Sequence, residues 1–359
     1  MNGPDPAAKA WRDFCGSLAE TGRLIEERSP GSELDRTEGY RYLTRLARMA
    51  LKFTVEYADP SAPELIRYMD ATQKFGVDNP DQLYQWARIS GRHAYRLRGR
   101  RGTVGYVGIG VYAGSAARGG RRTIAHLRAD QLETGEDGQL ELFLGGAPRD
   151  NNWVELPADT STLLVRQTMN DRDIERPAEL RIECLDRKGP PEPLSPGRLV
   201  KGLARAAMQV RGSVEMFADL ADRWRETPNR LHPSDTRMAE QSFGDPDLYY
   251  MGGYWKVATD EALVIEFRPP QCQYWSFLLC NYWTESLEYR YRPVWTNKAR
   301  ARYRADGSVR IVVAHRDPGL DDTTWVDTEG HREGTMTMRW LLARTTPLPE
   351  PCLVRFSEL

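Results

Sequence analysis

Cysteine is scarce in this chain of 359 residues. The five present (Cys15, Cys184, Cys272, Cys280 and Cys352) are odd in number, widely scattered and never spaced as C-x-x-C. That pattern argues against a disulfide framework or a structural zinc and fits a reducing compartment. Long apolar runs are missing as well, since no window approaches the roughly 18–20 uninterrupted apolar residues that a bilayer span requires. Met1 to Glu20 lacks the basic and then apolar segments of a secretion signal, and no N-x-[ST] sequon occurs. The expected location is the cytoplasm. Neither sign of charge is in excess: 50 Lys and Arg face 51 Asp and Glu, a formal net charge of −1. No whole-protein field recruits nucleic acid or an anionic membrane, and neither is expected as a partner.

Signatures of cofactor chemistry are also lacking. Gly108-Ile109-Gly110-Val111-Tyr112-Ala113 satisfies the letter of the dinucleotide fingerprint, with Asp130 near the position of a ribose-binding acid. That fingerprint must open a helix, and Gly114, Ser115, Gly119 and Gly120 would break one here, so a Gly-rich strand is the expectation. His315-Arg316-Asp317 lacks the rest of a kinase, and His331-Arg332-Glu333 lacks the P-C-x-x-C of a zinc deaminase. There is no G-x-S-x-G and no S-x-x-K. No metal and no cofactor are expected.

What is present reads as α+β. A helical N-terminal region (1–98) has Leu34, Tyr42, Leu46, Met49 and Phe53 near helical period after a Ser32 N-cap, and a short helix opening at Asp78 or Asn79 and running to Trp86. A first β region (99–188) carries strands at Thr103–Tyr112, Arg122–Leu127, Leu140–Leu144, Trp153–Leu156, Ser161–Thr168 and Glu179–Leu185. Ser195 and Pro196 open a packing helix (195–228). The C-terminal module (235–359) reads as an antiparallel β-sandwich or jelly roll, with strands at Tyr254–Ala258, Ala262–Phe267, Tyr274–Trp283, Val309–Ala314 and Thr335–Ala343 and an Asp306-Gly307 hairpin turn. Eight arginines lie between Arg92 and Arg122 (Arg92, Arg96, Arg98, Arg100, Arg101, Arg118, Arg121, Arg122), followed by Asp130, Glu133, Glu136, Asp137 and Glu141. This reads as a solvated, internally compensated face.

Aromatic residues are the surplus. Ten Trp and sixteen Tyr raise them to 10% of the chain, and thirteen aromatics fall between Tyr249 and Trp295. On a strand Tyr274–Trp283, alternation puts Trp275, Phe277, Leu279, Asn281 and Trp283 on one face, with a polar amide between indoles. This face is expected to adjoin a ligand pocket, with Trp275, Asn281, Trp283 and Tyr254 binding. Glu266, Arg268 and Arg339 are charges in apolar strands, which predicts a buried Glu266–Arg339 pair. His315 ends a strand ahead of Asp317, Asp321 and Asp322.

Tyr274-Trp275-Ser276-Phe277, Trp325-Val326-Asp327-Thr328-Glu329-Gly330 and Gly334-Thr335-Met336-Thr337-Met338-Arg339-Trp340 stand in an order that resembles the bacterial family called domain of unknown function 1214, over roughly Gly252 to Arg344. The resemblance implies a β-sandwich or jelly roll with accessory helices, often paired with a domain numbered 1254, of which no clear copy is found in Ala7–Gly91. It assigns no catalytic residue, although the arginine of its terminal strand falls on Arg339.

The expected function is an enzyme-like protein binding a small apolar or sugar-like molecule in an aromatic-lined pocket, as a cofactor-free hydrolase or lyase. Its catalytic candidates are Glu266 and His315 as acid or base and Arg339 as anion stabiliser. The alternatives are non-catalytic binding, with Trp275, Trp283, Tyr289, Tyr291 and Trp295 stacking on carbohydrate or another planar ligand, or a homo-oligomer interface.

Overall fold

The structure is a computed structural model and describes residues 5–114, 120–135, 138–235, 240 and 242–359. Three long helices run through these residues: α1 (Pro6–Arg28), α2 (Glu33–Leu51) and α3 (Pro196–Arg225). The Ser32 hydroxyl accepts the Asp35 N–H at 3.0 Å, capping α2 as its sequence predicts. Ser195 caps α3 less closely, its hydroxyl 3.3 Å from the Arg198 N–H. Tyr42, Leu46 and Met49 of α2 and Leu203, Val210, Val214 and Phe217 of α3 are all buried.

The chain forms two compact units. The first takes in the chain to Leu24, Leu43–Gln73 and Asp81–Ser213, and the second Ile25–Tyr42, Lys74–Pro80 and Val214–Leu359. The strands of the first are β1 (Ile66–Met69), β2 (Gln82–Arg88), β3 (Tyr95–Arg100), β4 (Tyr106–Ala113), β5 (Arg122–Arg128), β6 (Gln139–Leu144), β7 (Trp153–Val154), β8 (Thr160–Thr168) and β9 (Glu179–Cys184). They make one sheet in the order β1-β2-β8-β4-β5 and another in the order β7-β6-β3-β9. A shared core of Ile109, Val111, Leu163 and Val165 from one sheet and Leu97, Leu140, Leu142 and Ile182 from the other joins them.

Gln82–Arg88 is a strand, not the helix expected through Trp86. It pairs on both sides, with β1 and with β8, and these ladders override the three-residue spacing of Leu83 and Trp86. The Gly108–Ala113 segment lies in β4, flanked by β8 and β5 and buried along its whole length. No phosphate-binding turn is made there. Among the arginines, Arg96 and Arg98 pair with Glu183 at 2.9 and 2.5 Å, and Arg122 pairs with Asp159 at 2.5 Å. The face is compensated, but of the expected acids Glu141 takes part, at 3.4 Å from Arg96, and the strongest partners come from elsewhere in the chain. Arg118, Glu136 and Asp137, like Ser115 and Gly119, lie outside the described residues.

The second unit holds β10 (Arg230–Pro233), β11 (Leu248–Lys256), β12 (Glu261–Phe267), β13 (Tyr274–Leu279), β14 (Trp295–Asn297), β15 (Val309–Ala314), β16 (Thr324–Asp327), β17 (Glu333–Leu341) and β18 (Cys352–Arg355). A five-stranded sheet, β10-β11-β17-β13-β14, faces a four-stranded one, β16-β15-β12-β18. Alternate residues of both sheets, among them Trp255, Trp275, Phe277, Met338 and Trp340 against Leu263, Ile265, Ile311 and Val313, fill the sandwich. Pairing is antiparallel except between β15 and β16. Asp306-Gly307 turns the chain as expected: the Arg304 N–H donates to Ser308 O at 2.9 Å and the Gly307 N–H to Arg304 O at 2.8 Å.

Candidate functional site

The strand expected to run from Tyr274 to Trp283 stops at Leu279. Beyond it the Asn281 N–H donates to Glu285 O at 2.9 Å and the Thr284 N–H to Asn281 O at 3.1 Å, closing a tight loop with Thr284 at φ 60°. Strand alternation therefore ends before Asn281, and the three predicted face residues separate. Trp275 sits in the sandwich core, edge-on to Phe267 and Trp340 at centroid distances of 5.2 and 6.3 Å. Trp283 lies outside the sandwich on the first half of α2, where it stacks on Tyr42 and its indole N–H donates to Asp35 O at 2.8 Å. Gly39 makes this approach feasible, since a Cβ there would lie 2.8 Å from the indole ring.

Asn281 belongs to a buried polar layer. Its amide N–H group donates to Glu38 Oε2 at 3.0 Å and to Glu285 Oε2 at 3.1 Å, while its oxygen accepts the Glu285 N–H at 3.1 Å. Glu38 Oε2 also lies 2.9 Å from His331 Nε2, and His331 Nδ1 is 3.1 Å from Thr328 O. Both ring nitrogens face acceptors, an arrangement that a doubly protonated imidazole satisfies. Burial opposes that charge, yet the hydrogen bond and charge of Glu38 outweigh it and raise the His331 pKa. Burial likewise pushes Glu38 up, but His331 and Arg41 bring it net below the usual carboxylate range. Sequence reasoning misses this ion pair because its members are far apart in the chain, although His331 stands out there in an unrelated motif.

Arg339 is buried as predicted, at 2% exposure, but does not meet Glu266. β12 and β17 belong to different sheets. Glu266 is half-exposed and pairs with Arg304 at 3.1 Å and Arg310 at 3.3 Å. Arg339 stands on the outer face of its sheet, donates to Val77 O and lies 5.8 Å from the Tyr250 ring centroid. Asp78 is the carboxylate that feels its charge: burial raises the Asp78 pKa, and Lys74, Ser286 and Arg339 offset only part of that rise. Lys74 itself donates to Ser286 O and Leu287 O, both at 2.7 Å. His315 Nδ1 lies 2.9 Å from the Thr328 hydroxyl and Nε2 3.0 Å from Val257 O, so both ring nitrogens are engaged. The Tyr254 hydroxyl donates to Glu333 at 3.0 Å, and burial raises its pKa.

An open cleft lies elsewhere, at the edge of the sandwich where β14 and β16 approach. Its volume is ≈ 530 Å³, and its walls include Trp295, Thr296, Arg300, Arg302, Asp317 and Trp325. None of the seven predicted site residues lines it. The Arg300 guanidinium lies 4.4 Å from the Trp295 ring centroid, and Tyr289 packs edge-on against the same indole at 5.8 Å. The Trp325 N–H donates to Ala314 O at 3.0 Å, fixing that ring. Thr296 is buried, and its hydroxyl has no hydrogen-bond partner among the described residues. Of the residues in and around this cleft, the sequence marks Tyr289 and Trp295 as stacking candidates and Asp317 as part of an acidic set.

Among the described residues no helix is long and apolar enough to cross a membrane. Residues 257–345 match the family model described as protein of unknown function, DUF1214. An uncharacterized protein from Burkholderia cenocepacia is 43% identical, with 98% of each chain covered and a TM-score of 0.94. The VPA0106 protein from Vibrio parahaemolyticus is 13% identical over 93% of this chain and 100% of that one, with a TM-score of 0.50, a likeness of fold alone. No curated protein matches the chain. With the predicted motifs falling on β13, β16 and β17 and a relative this similar along its whole length, the chain belongs to the DUF1214 family.

Proposed function

We propose that the second unit binds a small sugar-like molecule carrying an acidic group, in the cleft between β14 and β16. The observation that carries this reading is the cleft wall itself, in which the indoles of Trp295 and Trp325 stand beside the Arg300 and Arg302 guanidinium groups, Arg300 lying 4.4 Å from the Trp295 ring centroid. Indole faces suit the apolar faces of a sugar ring, and the Arg300 and Arg302 forks suit a carboxylate. The reading keeps the expected ligand class and moves its site from the Trp275 face to the sandwich edge. It is a binding function: Asp317 is the one carboxylate among the lining residues, and no paired acid and base accompanies it. Free cysteines throughout fit work in the reducing cytoplasm.

Titration of the whole protein with uronic acids, matched neutral sugars and aromatic carboxylates, followed by tryptophan fluorescence and calorimetry, tests it. Saturable binding of the acidic sugars, weakened at least tenfold by Trp295→Ala and by Arg300→Ala, is the expected result. Binding that survives both substitutions, or no binding by any member of the panel, overturns it.

A further inference from the structure

We propose that the first unit carries a zinc site formed by His93, Cys184 and Asp186. The topology brings these residues together although 91 positions separate the first two. Tyr95 pairs with Cys184 at the start of β3 and the end of β9, and the Leu185 N–H donates to Ala94 O at 2.8 Å, extending the ladder by a residue. Just beyond these strand ends His93, whose N–H donates to Ser90 O at 3.2 Å in a turn, and Asp186, two residues after Cys184, come together at the same end of the pair.

The imidazole nitrogen, the thiol sulfur and a carboxylate oxygen all lie within 4.8 Å of one another. Zinc bonds of about 2.3 Å to sulfur and about 2.0–2.2 Å to nitrogen and oxygen place tetrahedral ligand atoms about 3.3–3.7 Å apart. His93 Nδ1 and Asp186 Oδ2, at 3.8 Å, are already close to that separation. The Ala94 N–H donates to Asp186 Oδ2 at 2.6 Å and so orients the carboxylate from outside the ligand set.

The donor set selects the metal. A thiolate excludes magnesium and calcium as preferred occupants, and thiolate, imidazole and carboxylate together suit zinc. Three protein ligands leave a fourth position for water or a small anion, the arrangement of an open rather than a structural site. Ala94 and Leu185, the chain neighbours of the ligands, line a cleft of ≈ 310 Å³ with Phe143 and Arg149. The Arg149 guanidinium lies 3.5 Å from the Phe143 ring centroid on that wall.

Metal-stripped protein titrated with cobalt(II) and then with zinc tests the site. The expected result is one cobalt per chain, with the thiolate-to-cobalt charge-transfer band and the intense visible bands of four-coordinate cobalt, displaced stoichiometrically by zinc. Cys184→Ser removes the charge-transfer band, and His93→Ala and Asp186→Asn weaken zinc binding by at least about tenfold. No cobalt band, or a band unchanged in Cys184→Ser, overturns the proposal. Should Cys184→Ser fail to fold, His93→Ala, altered in a turn outside the ladder, decides the matter: loss of the cobalt spectrum supports the site and its persistence overturns it.

Discussion

Between the sheets of the first unit the buried core is built from Val, Leu, Ile and Ala with Met169, and Tyr95 is its one aromatic among the described residues. In the second unit Trp255, Phe267, Trp275, Phe277 and Trp340 stand among the aliphatic residues of the equivalent layer. Both are sandwiches, so an aromatic surplus is not a requirement of the architecture. With the same number of strands, the second unit fills this layer with edge-to-face rings where the first uses branched side chains. The second unit differs in another way: the outer face of its five-stranded sheet is buried too, where Val77 and Asn79 meet Arg339, Tyr274 and Ser276 and Trp224 of α3 lies over Gly252, and it carries polar side chains, among them Ser276, Thr337 and Arg339. Trp275 and Arg339 thus stand on opposite sides of the same sheet.

Substitutions break this comparison at different depths. Trp275→Ala removes a fully buried ring from the aromatic layer and is expected to cost about 3–5 kcal/mol, against about 0.5–1.5 kcal/mol for Ile109→Val in the aliphatic core. Hydrogen exchange resolved by strand reads each unit separately, and equal losses of protection would show that the two fillings are equivalent. Arg339→Ala strips a guanidinium from the polar layer and leaves Asp78 buried with less compensation, for about 3 kcal/mol in urea unfolding, whereas Glu266→Ala on the half-exposed ladder costs less than about 1 kcal/mol. A large effect at Glu266 with none at Arg339 would reverse the assignment.

Gly252→Ala, where a Cβ would stand 2.1 Å from the Trp224 ring, is expected to destabilise by about 1–3 kcal/mol. Trp224→Leu should recover part of that loss, and failure to do so would place the strain in the backbone. The smallest effect is read in pH. The raised His331 pKa contributes stability that is full below about pH 6.5 and is lost as pH rises through the folded value. The lowered Glu38 pKa contributes stability present above about pH 4.5 and lost as pH falls through its folded value. The melting temperature of the wild type relative to His331→Gln should therefore be highest between those limits. A difference that does not vary with pH would mean that the pair is not ionised.

Much of the fold is legible in the sequence because strand patterns are local. Val309–Ala314 and the start of α2 at Ser32 follow from alternation and capping, which neighbouring residues settle among themselves. Gln82–Arg88 is misleading because its partners, Ile66–Met69 and Thr160–Thr168, are distant and supply the ladders that decide its form. The candidate site is less legible still. The parity argument carries Asn281 and Trp283 past the true end of β13, where the Asn281–Glu285 hydrogen bonds turn the chain. The burial of Arg339 can be read from its apolar neighbours, but its companions Val77 and Asp78 come from a segment whose sequence gives no sign of crossing that sheet.

The parallel pairing of β15 with β16 has a consequence for how the cleft can change. Two adjacent parallel strands cannot be joined by a tight turn, because the chain must travel back along the strand before it pairs again. The residues between Ala314 and Thr324 make that return, and Asp317 and Thr323 within it face the cleft. The sheet thus imposes a minimum length on the return path but little on its composition. On the proposed reading of the cleft, point substitution or insertion in this segment would alter ligand preference while both strands keep their register.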